Sequence, residues 1–272
     1  MKILISTDIE GIAGVTHQEQ TRAGNGEYER ARRLMTNEAN AAIAGAFDGG
    51  ATVVLVNDSH GAFRNMLPEL LDERAQLIQG KPRYLSMMAG VDEGVDGVCL
   101  IGYHSRAQGR GILAHTINSF AFARIFLNDC ELGEAGIYGA LAGEFGVPVI
   151  MASGDDVFIE ESCTTFPHTT FVQTKRATSQ TSGISLSPAH SCSAIRAGVT
   201  SAVKNHPLPT PFILSTPLTV RIQTQTPALA DLFCQWPGLQ RLCGDELSFK
   251  AASVQDGVRI INGLSAMSAF LR

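Results

Sequence analysis

The chain has 272 residues, 44% hydrophobic and 17% charged, which is enough apolar material for one large core or two modest ones and argues against disorder. Its 21 Lys+Arg against 26 Asp+Glu leave a formal charge of −5 and no basic run, so a polynucleotide is not an expected partner. No apolar run approaches the roughly 18 residues of a membrane span, no signal segment precedes the first strand, and no two of the six cysteines make a Cys-x-x-Cys pair. The expectation is a cytoplasmic protein, not bound to membrane, with reduced and mostly buried thiols.

Ile3 to Ile5 reads as a buried strand that ends in two carboxylates, Asp8 and Glu10, followed by Gly11. A polar, glycine-bearing stretch then leads to a helix marked by Tyr28, Ala31, Met35, Ala39, Ile43 and Ala46 at three- and four-residue steps, closed by Gly49-Gly50. A second strand, 52–56, ends in Asn57-Asp58-Ser59-His60-Gly61. After a short helix near Leu67 to Leu71, a third strand, 97–103, runs into His104. Ile112-Leu113-Ala114 precedes His115 and could hold its ring on a strand; an apolar stretch follows over 120–127. Glu134 opens a small-residue helix over 135–145, which feeds a strand at 147–152 and a turn at Gly154-Asp155-Asp156. From 154 to 168 periodicity fades.

Beyond that come a strand at 170–174, a helix capped by Ser187 with Pro188 in its first turn, a strand of strict alternation at 218–223, and a last amphipathic helix carrying Val254, Val258, Ile261, Leu264 and Met267. Strand-helix alternation predicts an α/β fold with a mainly parallel sheet and helices on both faces, Rossmann-like in its N-terminal part. The expected division is 1–157 as the catalytic domain and 158–272 as a smaller α+β lobe used for assembly and for part of the substrate site.

In open α/β sheets ligands sit beyond the carboxyl ends of the strands, where Asp8, Glu10, His60 and His104 all fall. Adjacent carboxylates repel one another unless a cation or a base offsets them. Mixed carboxylate and imidazole donors suit zinc, and two metals sharing Asp8 would need about five such side chains, Glu134 being the fifth. Each residue also has an ordinary explanation. Asp8 and Asp58 could cap turns, His60 and His104 could be hydrogen-bonded loop residues, and Glu134 could be a carboxylate favoured by a helix N-terminus.

Ser6-x-Asp8-x-Glu10-Gly11, Asn57-Asp58-Ser59-His60-Gly61, Gly102-Tyr103-His104, Leu113-Ala114-His115-Thr116, Gly133-Glu134-Ala135-Gly136 and Ser153-Gly154-Asp155-Asp156 resemble, in order and spacing, the zinc-dependent D-aminopeptidases, peptidase family M55. Weaker similarity continues through Thr174-Lys175-Arg176-Ala177 and the rest of the chain. The resemblance implies two zinc ions per subunit, with Asp8 bridging, Glu10 and His104 on one ion, His60 and Glu134 on the other, and His115 as the catalytic residue. It further implies a homodecamer of two stacked pentameric rings with an inner chamber, acting on short D-amino-acid-containing peptides. Family descriptions cast the histidine as a nucleophile; with a metal-activated water present, proton transfer suits it better. A dinuclear phosphoesterase and a non-catalytic metal- or ligand-binding subunit stand as alternatives. Against the former, no phosphate loop accompanies the motifs.

Overall fold

The computed structural model describes residues 1–205 and 207–272. In chain order its strands and helices are β1 (Lys2–Thr7), α1 (Gly26–Asp48), β2 (Val53–Asp58), β3 (Gln76–Ile78), β4 (Gly97–Ile101), β5 (Phe122–Leu127), β6 (Cys130–Glu131), α2 (Glu134–Glu144), β7 (Val149–Asp155), α3 (Asp156–Thr165), β8 (Thr170–Ser179), β9 (Ser182–Ser185), α4 (Pro188–Lys204), β10 (Leu218–Thr224), α5 (Pro227–Phe233), β11 (Gln240–Arg241), β12 (Glu246–Ala251) and α6 (Val254–Met267). Among the described residues no helix is long and apolar enough to cross a membrane.

The larger sheet has the order β3-β2-β1-β4-β7-β8-β9 and is parallel except for the β8–β9 hairpin. Strand order reverses between β1 and β4, so the crevice beyond their carboxyl ends is a topological switch point, the usual ligand position in such sheets. Alternation along β1 sorts its side chains between two cores. Ile3 and Ile5 pack with α1 and α4, whereas Leu4 faces α2, α6 and a second sheet. Both faces of the parallel sheet are therefore covered, as its continuous apolar strands require.

The second sheet, β11-β12-β10-β5-β6, is antiparallel and forms the smaller lobe with α5 and α6. Neither sheet breaks at residue 157. β5 and β6 leave the N-terminal stretch to pair in the smaller lobe, while β8 and β9 join the parallel sheet and α4 packs on α1. The boundary expected at 157 thus cuts both sheets, because strand pairing joins segments that are far apart in sequence.

Local expectations held where periodicity was long. Asn25 accepts from Tyr28 N at the start of α1, and Ser187 and Pro188 sit at the cap and first turn of α4. Three others fail. The stretch after 154 is helical (α3), capped by Asp155, whose side chain accepts from Phe158 N. The short helix near residue 67 is a single 3-10 turn, Pro68–Leu70. Cysteine burial is also overestimated: all six thiols are free, but only Cys99 is buried and Cys130, Cys163 and Cys243 are exposed.

Candidate active site

Five of the expected residues converge at the switch point, and His115 joins them. Asp8 and Glu10 follow β1, His60 follows β2, His104 follows β4 and Glu134 is the first residue of α2. His115 lies in a loop, not on the expected strand. Asp155 anchors that loop by accepting from Ile112 N at 2.6 Å, so a tertiary contact does what strand pairing was expected to do. Beneath the cluster, Ser6 Oγ meets Ser59 Oγ at 2.6 Å, Tyr103 OH at 2.7 Å and Met87 O at 2.7 Å, fastening three strand ends to one another.

The turns after β1 and β4 touch backbone to backbone. Gly11 N donates to Gly102 O at 2.7 Å, and a Cβ at Gly11 would stand 2.0 Å from Tyr103 O. Gly102 adopts φ +70°, a left-handed conformation that glycine takes at no steric cost. Both glycines let the Asp8–Glu10 and His104 segments share one crevice.

All three imidazoles are set the same way. His60 Nε2–H is matched to Thr21 O at 2.9 Å, His104 Nδ1–H to Ser105 O at 2.9 Å and His115 Nδ1–H to Leu113 O at 2.9 Å. With one nitrogen donating to a carbonyl, the other presents a lone pair, the arrangement that prepares a histidine for a metal. Those bare nitrogens point at carboxylates: His60 Nδ1 lies 3.2 Å from Asp8 Oδ1 and 3.1 Å from Glu10 Oε2, His104 Nε2 lies 3.4 Å from Asp8 Oδ2 and 3.5 Å from Glu134 Oε2, and His115 Nε2 lies 3.5 Å from Glu134 Oε1. Lone pair against anion is repulsive unless positive charge lies between them.

Spacing and chemistry both fit zinc. Two donors on one tetrahedral zinc stand about 3.3 Å apart, given bonds near 2.0–2.1 Å, and the separations above bracket that value. Glu10 Oε2 and His104 Nε2 are buried and lack a well-aligned hydrogen-bond partner. Donor atoms of Asp8, Glu10 and His104 all lie within 4.8 Å of one another, as do those of His104, His115 and Glu134. His104 is common to both groups, and Glu10 approaches His60 as closely as any other donor, so distance alone does not split the donors into the two expected sets.

Electrostatics say the same. Burial alone would depress the imidazoles, but Glu10 and Asp8 hold His60 well above its ordinary range, and Glu134 and Asp8 do so for His104. Burial would raise Glu10 and Glu134, yet His60 draws Glu10 well below the usual carboxylate range and His104 lowers Glu134. Asp8 goes up, through burial and the neighbouring Glu10 charge. The crevice thus favours cations, whether protons or metal ions.

A cavity of about 380 Å³ opens on the cluster, lined by Asp8, His60, His115 and Glu134 and also by Lys81, Arg83 and Phe63. Tyr138 of α2 and Asn262 of α6 complete its wall. His115 keeps 20% of its side chain exposed against 1% for His104, so it sits where a ligand in the cavity would reach it.

Comparison with known proteins identifies the family. The model of the M55 peptidases, described as D-aminopeptidase, matches residues 1–263. The chain belongs to the D-aminopeptidase family. A D-aminopeptidase of Bacillus subtilis (strain 168) is 39% identical over 189 residues, covering 70% of this chain and 69% of that one. The structure of the Zn-dependent D-aminopeptidase DppA from Bacillus subtilis, a self-compartmentalizing protease, superposes with a TM-score of 0.96 at 31% identity, over 99% of this chain and 98% of the other.

This D-aminopeptidase fold also recruits residues that sequence reasoning passed over. Lys175, in β8 opposite Asp155, is buried and donates from Nζ to the carbonyls of Glu10, Ile12 and Val15, holding the loop that carries Glu10. Burial pushes its ammonium down to about 8, with Asp155, Glu38 and Glu10 opposing. A lysine within a strand gives no local sign of burial. Asp58, weighed as a cap, does act as one: its carboxylate accepts from Met66 N at 2.7 Å and from Asn65 Nδ2 at 2.7 Å, folding the His60 loop back.

Proposed function

We propose that the protein is a dinuclear zinc aminopeptidase that removes N-terminal D-amino acids, such as D-alanine, from short peptides and amides. One observation carries the reading: three imidazoles with their N–H groups committed to backbone carbonyls turn bare nitrogens on three buried carboxylates at zinc-like spacing. Asp8 is the shared ligand, supported by its two oxygens facing His60 and His104 respectively. Glu10 and His104 complete one site, and His60 and Glu134 the other. Zinc, when bound, polarises the scissile carbonyl and lowers the pKa of an attacking water.

The chain's own residues do the rest. The substrate's N-terminus is placed at this end of the cavity, beside His115 and the ligand cluster. Glu134 Oε1 accepts from Ile117 N at 2.6 Å, which keeps its other oxygen on the metal side. His115, fixed in one tautomer by Leu113 O and open to the cavity, takes a proton at its bare Nε2 from the attacking water and passes it to the leaving amine. Phe63, Met87 and Tyr138 limit water around the reacting bond.

The protein assembles as a homodecamer of two pentameric rings, a reading supported by its likeness to a self-compartmentalizing protease and by apolar side chains left outside, among them Ile213 and Phe270. Six free cysteines support a cytoplasmic location. The smaller lobe supplies part of the substrate wall through Asn262 and Ser265 of α6.

The deciding assay compares D-Ala-p-nitroanilide, its L-enantiomer and p-nitrophenyl phosphate with zinc-loaded protein. Release from the D-anilide alone is expected. Turnover confined to the phosphate ester would give the phosphoesterase reading instead, and none with any substrate would leave a binding subunit.

A further inference from the structure

The cavity is lined by cations as well as by carboxylates, and only the carboxylates are explained by the metals. Lys81 and Arg83 share its lining with Asp8, His60 and Glu134. Lys81 stands 4.5 Å over the Phe63 ring and Arg83 4.0 Å over the same ring, two cations on one aromatic side chain. Arg83 is committed through its outer nitrogens, which donate to Asn57 Oδ1 at 2.6 Å and to Asp58 O at 2.7 Å. Its Nε is buried without a partner. Lys81 forms no ion pair or hydrogen bond with any acidic side chain among the described residues. Lys81 is exposed to solvent; partial desolvation of its ammonium and the neighbouring Arg83 charge push that group below the ordinary range.

Lys81 is held in register with the metal ligands. Gly80 N donates to Phe63 O at 2.6 Å, and Phe63 N to His60 O at 2.8 Å, so the Lys81 segment is fastened to the His60 loop. Gln79 adds bonds to Asp58 Oδ2 and Met66 O in the same loop. A bulky aliphatic residue would pack on Phe63 as well as Lys81 does; what the cavity gains from lysine is an ammonium without a counter-charge.

A short peptide is a zwitterion whose ends lie a few bonds apart, about 3.3–3.6 Å per residue. At about 380 Å³ the cavity is near the small end of ligand sites, which run from roughly 300 to 1,000 Å³. A short peptide with its N-terminus at the metal ligands shares this small space with Lys81, the cation within reach of its carboxylate. We infer that Lys81, backed by Arg83, is a specificity-determining residue that binds the free C-terminal carboxylate of a di- or tripeptide, so that unblocked short peptides are the substrates of this site. This inference rests on the aminopeptidase reading above and adds to it the recognition of the substrate's far end.

The test uses D-alanyl-glycine and its C-terminal amide with the zinc-loaded, full-length protein. Wild type is expected to prefer the acid by roughly 10–100-fold in kcat/KM, carried mainly by KM, the worth of one charged hydrogen bond. In Lys81→Met the acid-to-amide ratio falls towards one; in Lys81→Arg most of it returns. Equal handling of acid and amide by wild type, or an unchanged ratio in Lys81→Met, overturns the inference. Titration calorimetry with the same two compounds reads the subsite without turnover. If nothing is hydrolysed but the acid still binds at least tenfold more tightly in a Lys81-dependent way, the aminopeptidase reading fails and the carboxylate site stands.

Discussion

At the scale of single residues, His115 and Glu38 separate catalysis from stability. His115→Ala is expected to keep zinc content and fold while lowering turnover by roughly 10²–10⁴, the usual worth of a positioned acid or base. His104→Ala should lose zinc and activity together, because it opens the ligand shell. Elemental analysis beside kinetics distinguishes the two, and loss of zinc in His115→Ala would make it a ligand. Glu38, on α1, is buried against Ala13 N and Ser191 Oγ, and burial pushes its pKa from 4.5 up to about 7. Folding therefore prefers the neutral acid. Below pH about 4.5 both states hold the proton and nothing is lost; the penalty grows as pH rises and levels off above about 7 at roughly 3 kcal/mol. Glu38→Gln should gain stability over wild type between pH 5 and pH 8 in urea unfolding, at fixed zinc and protein concentration. A difference independent of pH would remove the assignment.

At the scale of elements, the junction of β1 and β4 is tightly constrained. Every metal-facing side chain near it depends on two turns in backbone contact, with Asp8 N donating to Ile101 O and Gly11 N to Gly102 O. Gly11→Ala puts a methyl group 2.0 Å from Tyr103 O, too close for the turns to keep their spacing. A loss of about 1–3 kcal/mol is expected from overpacking, with weakened zinc retention because Asp8, Glu10 and His104 move apart. Urea midpoints and zinc content after dialysis measure both. An Ala variant with wild-type stability and full zinc would show that the junction is softer than its contacts imply. Lys175 works at the same scale, since its three carbonyl acceptors tie β8 to the loop after β1.

At the scale of the whole molecule, the expectation is two zinc ions per chain and a ring-like decamer. Phe270 is 83% exposed and Ile213 66%, an unfavourable exposure that burial between subunits would relieve. Light scattering of the zinc-loaded protein should give the decamer, and Phe270→Asp should shift it to smaller species. A monomer across the micromolar range would contradict the assembly. A chamber formed by rings would admit short peptides and exclude folded proteins, in keeping with the small cavity.

The sequence by itself determined the elements with long periods and clear punctuation, α1 and α4 with their caps among them, and it determined that acids and imidazoles would terminate β1, β2 and β4. Side-chain alternation and capping are local properties, so spacing alone carries them. The candidate ligands were legible for the same reason: each follows a strand end, or opens a helix, in its own segment. Tertiary structure decided what no local pattern encodes. Strand pairing sent β5 and β6 into the smaller sheet and β8 and β9 into the larger one, against a division at 157. Asp155 held the His115 loop without a strand, and β8 buried Lys175 beneath Glu10. The cavity arose where α2, α6 and the Lys81 loop met the switch point, because charges from distant segments acquire a common field only once packing removes the water between them.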